Sequence, residues 1–84
     1  MQTTKDITTT QTSLGQRIHT LREQEGLSQH KFAAMIGMSR TYLVDVEKDR
    51  RNITLKTIRR IARGLDVSMA ELFTGVDVEY QSHN

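Results

Sequence analysis

The sequence predicts an all-α domain of five helices, and three observations lead to that prediction. Apolar residues recur at the three- and four-residue spacing of a helix rather than alternating as in a strand. Ser or Thr precedes each periodic segment, where its side chain can cap the first helical turn, and glycine stands near most segment ends. The 84 residues contain no proline and no cysteine. One small domain without a disulfide framework therefore accounts for the chain.

The N-terminal boundary of this domain is predicted at Ser13. Residues 1–12 are polar and rich in Thr and Gln, and we expect a flexible arm there. Ser13 and Gln16 form a capping box, which begins a first helix that ends near Gln24. The predicted buried stripe of this helix consists of Leu14, Ile18 and Leu21.

The segment 28–47 is predicted to form two helices joined by a tight turn. Ala33 is small where the two helices would cross, and Gly37 stands where the first of them must stop in a turn that favours positive φ. Ser39 is a natural N-cap for the next helix. The apolar residues that would close one helix onto the other are Phe32, Ile36, Leu43 and Val46. This arrangement is a helix-turn-helix motif.

The third helix, from about Arg40 to Lys48, carries the candidate base-contacting residues Arg40, Thr41 and Asp45. Each is predicted to point away from the core, as the major groove of DNA requires. Arg can donate to guanine O6 and N7 together, Thr offers a hydroxyl and a methyl group, and Asp can accept from cytosine N4. For Asp45 an ion pair with Arg40 or Lys48 on the helix surface is the alternative.

Two further helices complete the domain, which is expected to span residues 13–74. Thr54 caps the fourth helix, and Ser68 with Glu71 forms a capping box for a short fifth one that stops at Gly75. The C-terminal tail 75–84 is either loose or contains a short strand, since Val76, Val78 and Tyr80 alternate. The fourth helix is predicted to bury Leu55, Ile58, Ile61, Ala62 and Leu65, with Met35, Met38 and Met69 as further core residues.

The charges are distributed unevenly along the chain although the net charge is only +2. Residues 39–63 hold eight Lys and Arg against three acids, whereas residues 64–84 hold four acids and neither Lys nor Arg. The run 48–52 directly follows the third helix and is predicted to contact phosphate through Lys48, Arg50, Arg51 and Asn52. Arg51 entering the minor groove is an alternative. For Arg59 and Arg63, both a DNA-binding and a merely solubilising role stay open.

Several classes of function are not expected from this sequence. Its polar N-terminus and the absence of any apolar run of about 18 residues argue against a signal peptide and a membrane span. His19 and Glu23 share a helix face, but too few further ligands exist for a metal site. No nucleophile elbow or glycine-rich phosphate loop indicates an enzyme. Neither catalytic residues nor a cofactor or metal is therefore predicted, and a cytoplasmic location fits the lack of cysteine.

The helix order, the turn and the run Ser39-Arg40-Thr41-Tyr42-Leu43, followed by Arg51-Asn52-Ile53-Thr54-Leu55, resemble the Xre/Cro/C1 family of phage and bacterial repressors. The resemblance covers about 14–73 and implies a lambda-repressor-like fold. Within the family, the Arg-Thr-Tyr run followed by Arg-Arg-Asn looks most like the controller proteins of restriction–modification systems.

The resemblance also implies roles for individual residues. Gln29 and Ser39 match positions that contact phosphate, and Gln29 would in addition support the recognition helix. Arg40, Thr41 and Asp45 match positions that meet base edges. Arg22 and Glu47 match a partly buried ion pair that links the first helix to the end of the third.

The expected function is that of a DNA-binding transcriptional regulator, of bacterial or phage origin, which binds a palindromic operator as a homodimer. Double-stranded DNA would be its partner, with association to the nucleoid when bound, and it would block RNA polymerase or also recruit it. An antitoxin that neutralises a protein partner is the alternative. Because Leu72 and Phe73 are not both expected to be hidden beneath one short helix, the dimer interface is predicted at Val67, Met69, Leu72 and Phe73.

Overall fold

The computed structural model describes residues 12–77 and confirms the predicted all-α, five-helix fold. The observed bounds lie within a residue or two of those predicted from capping and periodicity. The helices are α1 (Leu14–Gln24), α2 (Gln29–Met35), α3 (Arg40–Glu47), α4 (Leu55–Gly64) and α5 (Met69–Leu72). In the described part of the chain, no helix is long and apolar enough to span a membrane.

Every one of these helices begins at a hydroxyl side chain. The Ser or Thr before each helix accepts a hydrogen bond from the backbone N–H three residues on, at 3.0–3.2 Å. Each bond satisfies one of the N–H groups that a helix leaves unpaired in its first turn. The five N-caps are Ser13, Ser28, Ser39, Thr54 and Ser68.

The hydrophobic core contains residues from all five helices, and two predictions about it are wrong. Leu55 is 66% exposed and Met35 is 55% exposed. Met35 directly precedes the buried Ile36, the C-cap of α2, so the two side chains point about 100° apart around the helix axis. Leu55 is the first residue of α4, and its side chain points about 60° away from that of the buried Ile58. The largest side chains that are fully buried are Phe32, Ile18, Leu43, Ile61 and Leu72.

Backbone pairing brings the two ends of the described chain together. The Thr12 N–H donates to the Gly75 carbonyl at 3.0 Å, and the Asp77 N–H donates to the Thr12 carbonyl at 2.9 Å. Thr12 and Val76 form an isolated parallel bridge. Thr12 and residues 75–77 therefore pair with each other at the edge of the domain, although the sequence assigned them to the arm and the tail. The rest of those two segments, including Val78 and Tyr80, lies outside the described residues.

The helix α3 is positioned by close packing against α1 and α2. Gly15 of α1 approaches the end of α3 so closely that a Cβ atom there would collide with the carbonyl oxygens of Val46 and Glu47. The Gly15 N–H also donates to Asp49 Oδ1 at 2.9 Å. On the other side, Gly37 makes the α2–α3 turn with φ +70°, a conformation that glycine adopts without steric cost. Both contacts set the angle at which α3 leaves the body of the domain.

Candidate nucleic-acid interface

The N-terminal half of α3 presents two of the predicted base-contacting residues to solvent. Arg40 and Thr41 are exposed, and neither side chain makes a hydrogen bond or ion pair with another described residue. Ser39 is also exposed, and its oxygen accepts from the Tyr42 N–H at 3.0 Å. Its hydroxyl proton stays available to a phosphate oxygen. This end of α3 therefore offers hydrogen-bond donors that no group of residues 12–77 occupies.

Asp45, the third predicted base-contacting residue, has partners that the sequence did not predict. Its carboxylate is 26% exposed and lies 3.5 Å from Arg51 Nε and 3.9 Å from an Arg50 guanidinium nitrogen. The Arg51 guanidinium also stacks over the Tyr42 ring, 4.8 Å from its centroid. The ion pair considered from the sequence exists, but its cations are not Arg40 or Lys48. Asp45 thus couples α3 to the loop that follows it.

The loop after α3 keeps its other polar groups at the surface. Lys48 is the C-cap of α3, and Lys48, Arg50 and Asn52 are all exposed. The Arg50 N–H donates to the Asp45 carbonyl at 2.9 Å, and Asp49 adopts a left-handed conformation with φ 58°. These two features fold the loop back against the end of α3, so its cations lie beside the exposed face of that helix.

Beneath the exposed face, Arg22 and Glu47 form a buried ion pair. Arg22 Nε lies 2.7 Å from Glu47 Oε2, and a terminal guanidinium nitrogen lies 3.0 Å from Oε1. The other terminal nitrogen donates to the Leu27 carbonyl at 2.7 Å. The side chains are only 6% and 3% exposed. This bidentate geometry fixes the last turn of α3 against α1 and the α1–α2 turn.

Two further side chains lie within hydrogen-bonding distance of the Glu47 carboxylate. The Gln29 amide donates to Glu47 Oε1 at 3.1 Å, and His19 Nδ1 lies 3.1 Å from the same oxygen. Gln29 therefore supports α3, the second role that the family resemblance implied for it. His19 was missed, because its sequence spacing pointed only to Glu23, whose Oε2 lies 3.3 Å from His19 Nε2. The contact with Glu47 spans 28 positions and leaves no local signal.

The network holds both members of the ion pair in their charged forms. Burial alone would raise the pKa of Glu47, but hydrogen bonds from Arg22, His19 and Gln29 and the Arg22 charge outweigh it, so that pKa is lowered. The hydrogen bond to Glu47 raises the pKa of Arg22 against the opposing effect of burial. A fixed charge pair under α3 therefore persists over the whole physiological pH range.

The predicted dimer residues divide into two groups. Leu72 is fully buried in the core of its own protomer, with 0% exposure, so its side chain is not available to a partner and this prediction is corrected. Val67, Met69 and Phe73 are half-buried and pack against the edge of the core. The Arg17 guanidinium donates to the Leu72 and Glu71 carbonyls at 3.3 and 2.8 Å and holds α5 against α1, with Leu72 on the side of the helix that faces the core.

Acidic and histidine side chains do not gather into a metal site within residues 12–77, since no three His, Asp or Glu residues there could hold one ion. His19 has its two nitrogens beside Glu47 and Glu23. The chemistry that the site offers is hydrogen bonding and charge from exposed Arg, Lys and Thr side chains on a rigid helix.

The sequence and the fold both have known relatives. Residues 18–72 match the helix-turn-helix family. Control protein C.MunI of Mycoplasma sp is 38% identical over 66 residues, which cover 77% of this chain and 89% of the relative. The crystal structure of the restriction-modification controller protein C.AhdI from Aeromonas hydrophila matches with a TM-score of 0.69 at 42% identity, over 71% of this chain and 87% of that one.

A third relative was solved together with DNA. The restriction-modification controller protein C.Esp1396I, as a tetramer in complex with its natural 35 base-pair operator, matches with a TM-score of 0.68 at 31% identity. The match covers 73% of this chain and 80% of that one.

Proposed function

The chain belongs to the helix-turn-helix family and is a DNA-binding transcriptional regulator, and we propose that it acts as a controller protein that binds a palindromic operator as a homodimer. The observation that carries this proposal is that Arg40 and Thr41, at the start of α3, are exposed and have no partner in the part of the chain that the structure describes. Such a helix inserts its N-terminal residues into the major groove of DNA.

Base reading is assigned to the exposed face of α3. Arg40 would donate to O6 and N7 of one guanine, and Thr41 would meet a neighbouring base through its hydroxyl or methyl group. Asp45 would accept from a cytosine N4 while it also holds Arg51. The buried Arg22–Glu47 pair supports this reading because it fixes the angle of α3, and a recognition helix must be placed accurately to form bidentate contacts.

Phosphate contacts are assigned to groups on both sides of α3. Ser39 lies at the α2–α3 turn and Gln29 lies at the start of α2 beside Glu47, while Lys48, Arg50, Arg51 and Asn52 lie at the end of α3 and in the loop that follows it. These contacts set the register of the protein on the duplex without reading sequence. Two copies related by a two-fold axis would place their α3 helices about 34 Å apart, which is one turn of B-DNA.

The relatives support a controller role rather than the antitoxin alternative. C.MunI and C.AhdI are named as control and controller proteins, and the antitoxin role receives no support from them. A controller of this kind would occupy an operator in the cytoplasm, where it blocks RNA polymerase or recruits it. No catalytic or cofactor-dependent step is part of the proposal.

The test combines site selection with two matched variants. Selection from random duplexes should yield an inverted repeat. Arg40→Ala should then cost about 1–3 kcal/mol on the selected site and relax the preference at one base pair per half-site. Arg50→Ala is the control because it removes the same charge, and it should weaken binding to the selected and scrambled duplexes about equally. Equal loss on both duplexes for Arg40→Ala, with loss on the selected one alone for Arg50→Ala, would reverse the assigned roles.

A further inference from the structure

The outward face of α4 carries four cations and no acid. Lys56, Arg59, Arg60 and Arg63 are all exposed, and together they line one shallow surface pocket. Their spacing of three and four residues puts them on a single helix face, opposite the buried Ile58 and Ala62. We call this surface the basic face of α4.

These four side chains have no partner among the described residues. None forms a hydrogen bond or ion pair with residues 12–77, whereas Arg22, Arg50 and Arg51 all do. No Asp or Glu lies anywhere in Leu55–Gly64. The cations therefore do not serve to bind α4 to the rest of the described domain.

The arrangement is unfavourable for the isolated helix. Lys56 with Arg60 and Arg59 with Arg63 are like charges four residues apart, a spacing at which repulsion destabilises a helix. Lys56 lies in the first turn, where the helix dipole disfavours a positive charge. A Glu in place of Lys56 would relieve both effects, whereas Arg63 lies in the last turn, where a positive charge is favoured. A face of mixed sign would serve solubility as well as cations alone do, so the absence of any acid on this face favours binding to an anion.

We propose that the basic face of α4 binds DNA phosphates outside the set contacted by α3 and the loop that follows it. This proposal rests on the proposed function. Arg63 lies seven positions after Lys56, which is about 10 Å along the helix axis, and over that distance one DNA strand presents about three phosphates. Lys56 follows Arg51 by five residues. The basic face therefore begins close in the chain to the cationic loop already assigned to phosphate.

The composition of the face favours DNA over an acidic protein partner. The core of a protein–protein interface is depleted in charged residues and enriched in apolar and aromatic side chains, with Arg as the exception among the charged ones. The basic face of α4 has cations at each of its four positions from 56 to 63. On this chain exposed acids of a second copy, such as Asp66 and Glu71, would be the alternative partners. Contact with a second copy would make dimerisation depend on salt, so the same variants distinguish binding to DNA from binding to a second copy.

The experiment compares neutralised variants on duplexes of two lengths. Arg63→Gln and the double variant Arg59→Gln/Arg63→Gln remove charge from the basic face, and Lys31→Gln on the exposed surface of α2 is the matched control. Gln keeps a similar helix propensity, so the thermal unfolding midpoint should be unchanged or raised as repulsion is relieved. Binding is measured against salt on a duplex limited to the selected operator and on one extended by about one helical turn at each end.

On the extended duplex, the slope of log K against log salt should flatten by up to ~0.9 per lost contact per subunit in the basic-face variants. The ratio of affinities for selected and scrambled duplexes should stay unchanged, because phosphate contacts carry no sequence information. The control variant should leave the slope at the wild-type value, and the operator-length duplex should show a smaller change.

Two results would overturn the proposal. One is a double variant whose slopes on the extended duplex match those of the wild type and the control. The other is a double variant that binds DNA with an unchanged salt dependence per dimer but whose dimer dissociation constant no longer depends on salt. That result would show that the basic face of α4 contacts a second copy. Failure of the wild type to distinguish selected from scrambled DNA would contradict the proposed function instead.

Discussion

At the residue scale, Glu47 connects the fold to the proposed function. Its carboxylate is 3% exposed and is held by Arg22, Gln29 and His19, which come from α1 and α2. Because Glu47 is the last residue of α3, these contacts anchor the recognition helix at its C-terminal end. The exposed N-terminal end with Arg40 is thereby held at one angle relative to the domain.

Replacement of Arg22 by Met or of Glu47 by Gln should each destabilise the protein by about 3–5 kcal/mol. Each change leaves a buried charge without its partner. The double variant should lose less than the sum of the two, because no charge is then stranded. Chemical denaturation measures all three. Additive losses would mean that the two side chains act independently. The control is Glu23→Gln, which should have little effect because Glu23, the other partner of His19, is 61% exposed.

Asp45→Asn should have opposite effects on specific and non-specific binding. It removes a negative charge near the phosphates and releases Arg51 from its carboxylate, so affinity for scrambled DNA should rise. The neutral amide oxygen of Asn is a weaker acceptor for cytosine N4 than the carboxylate, so the discrimination between selected and scrambled duplexes should fall by about 1 kcal/mol. Fluorescence anisotropy on both duplexes measures this, with the exposed Asp66→Asn as the charge-matched control. Unchanged discrimination would restrict Asp45 to holding Arg51.

At the element scale, the position of α3 depends on the close approach of two backbones. Gly15 in α1 has room for hydrogen only, since a Cβ would meet backbone carbonyl oxygens that cannot move without displacing the end of α3. The Gly15 N–H bond to Asp49 further joins α1 to the loop after α3. This crossing and the Arg22–Glu47 pair therefore constrain the same end of the recognition helix.

Gly15→Ala should destabilise the domain by about 1–3 kcal/mol, the cost of overpacking a site that cannot relax. It should also weaken operator binding by more than the stability loss explains, because α3 must shift. Gly37→Asn is the contrasting variant. Apart from its chain neighbours, no described residue comes within 4 Å of the Cβ position there, and Asn tolerates the left-handed conformation. Thermal unfolding compares the two, and wild-type behaviour of Gly15→Ala would exclude the close approach.

At the scale of the whole molecule, the half-buried patch of Val67, Met69 and Phe73 is the candidate dimer surface. Sedimentation equilibrium at micromolar concentration should show a dimer for the wild type and a monomer for Met69→Glu, because a buried unpaired charge disfavours association. Met35→Glu is the matched control, since Met35 is 55% exposed and lies outside the patch. A wild-type monomer whose selected sites lack an inverted repeat would contradict the dimer.

The stability of the whole domain should decline in acid through Glu47. Its folded pKa lies below the ordinary value of 4.5, so the folded state gains stability that is fully present above 4.5 and is lost as the pH falls towards the folded pKa. The difference in unfolding free energy between wild type and Glu47→Gln should be constant from about pH 7 to about pH 5 and shrink below that. A difference that persists to about pH 2 would contradict this origin.

The elements of this protein follow from short-range sequence signals. An N-cap hydroxyl contacts an N–H only three residues away, so Ser13, Ser28, Ser39, Thr54 and Ser68 could each be identified from the sequence. Helical periodicity likewise identified most of the core. The exposed face of α3 could be predicted from the sequence for the same reason, because the spacing of its buried residues leaves Arg40 and Thr41 on the opposite side.

Contacts between elements were decided by packing, which local spacing does not encode. The sequence alone determined the five helices, the turn at Gly37 and the family resemblance. Only the tertiary structure decided that Asp45 pairs with Arg51, that His19 reaches Glu47 across 28 positions, and that Leu72 is buried while Leu55 is exposed. Periodicity specifies the direction in which a side chain points from its helix. Which atoms it meets there depends on how the helices cross and on contacts between distant segments, such as Thr12 with residues 75–77.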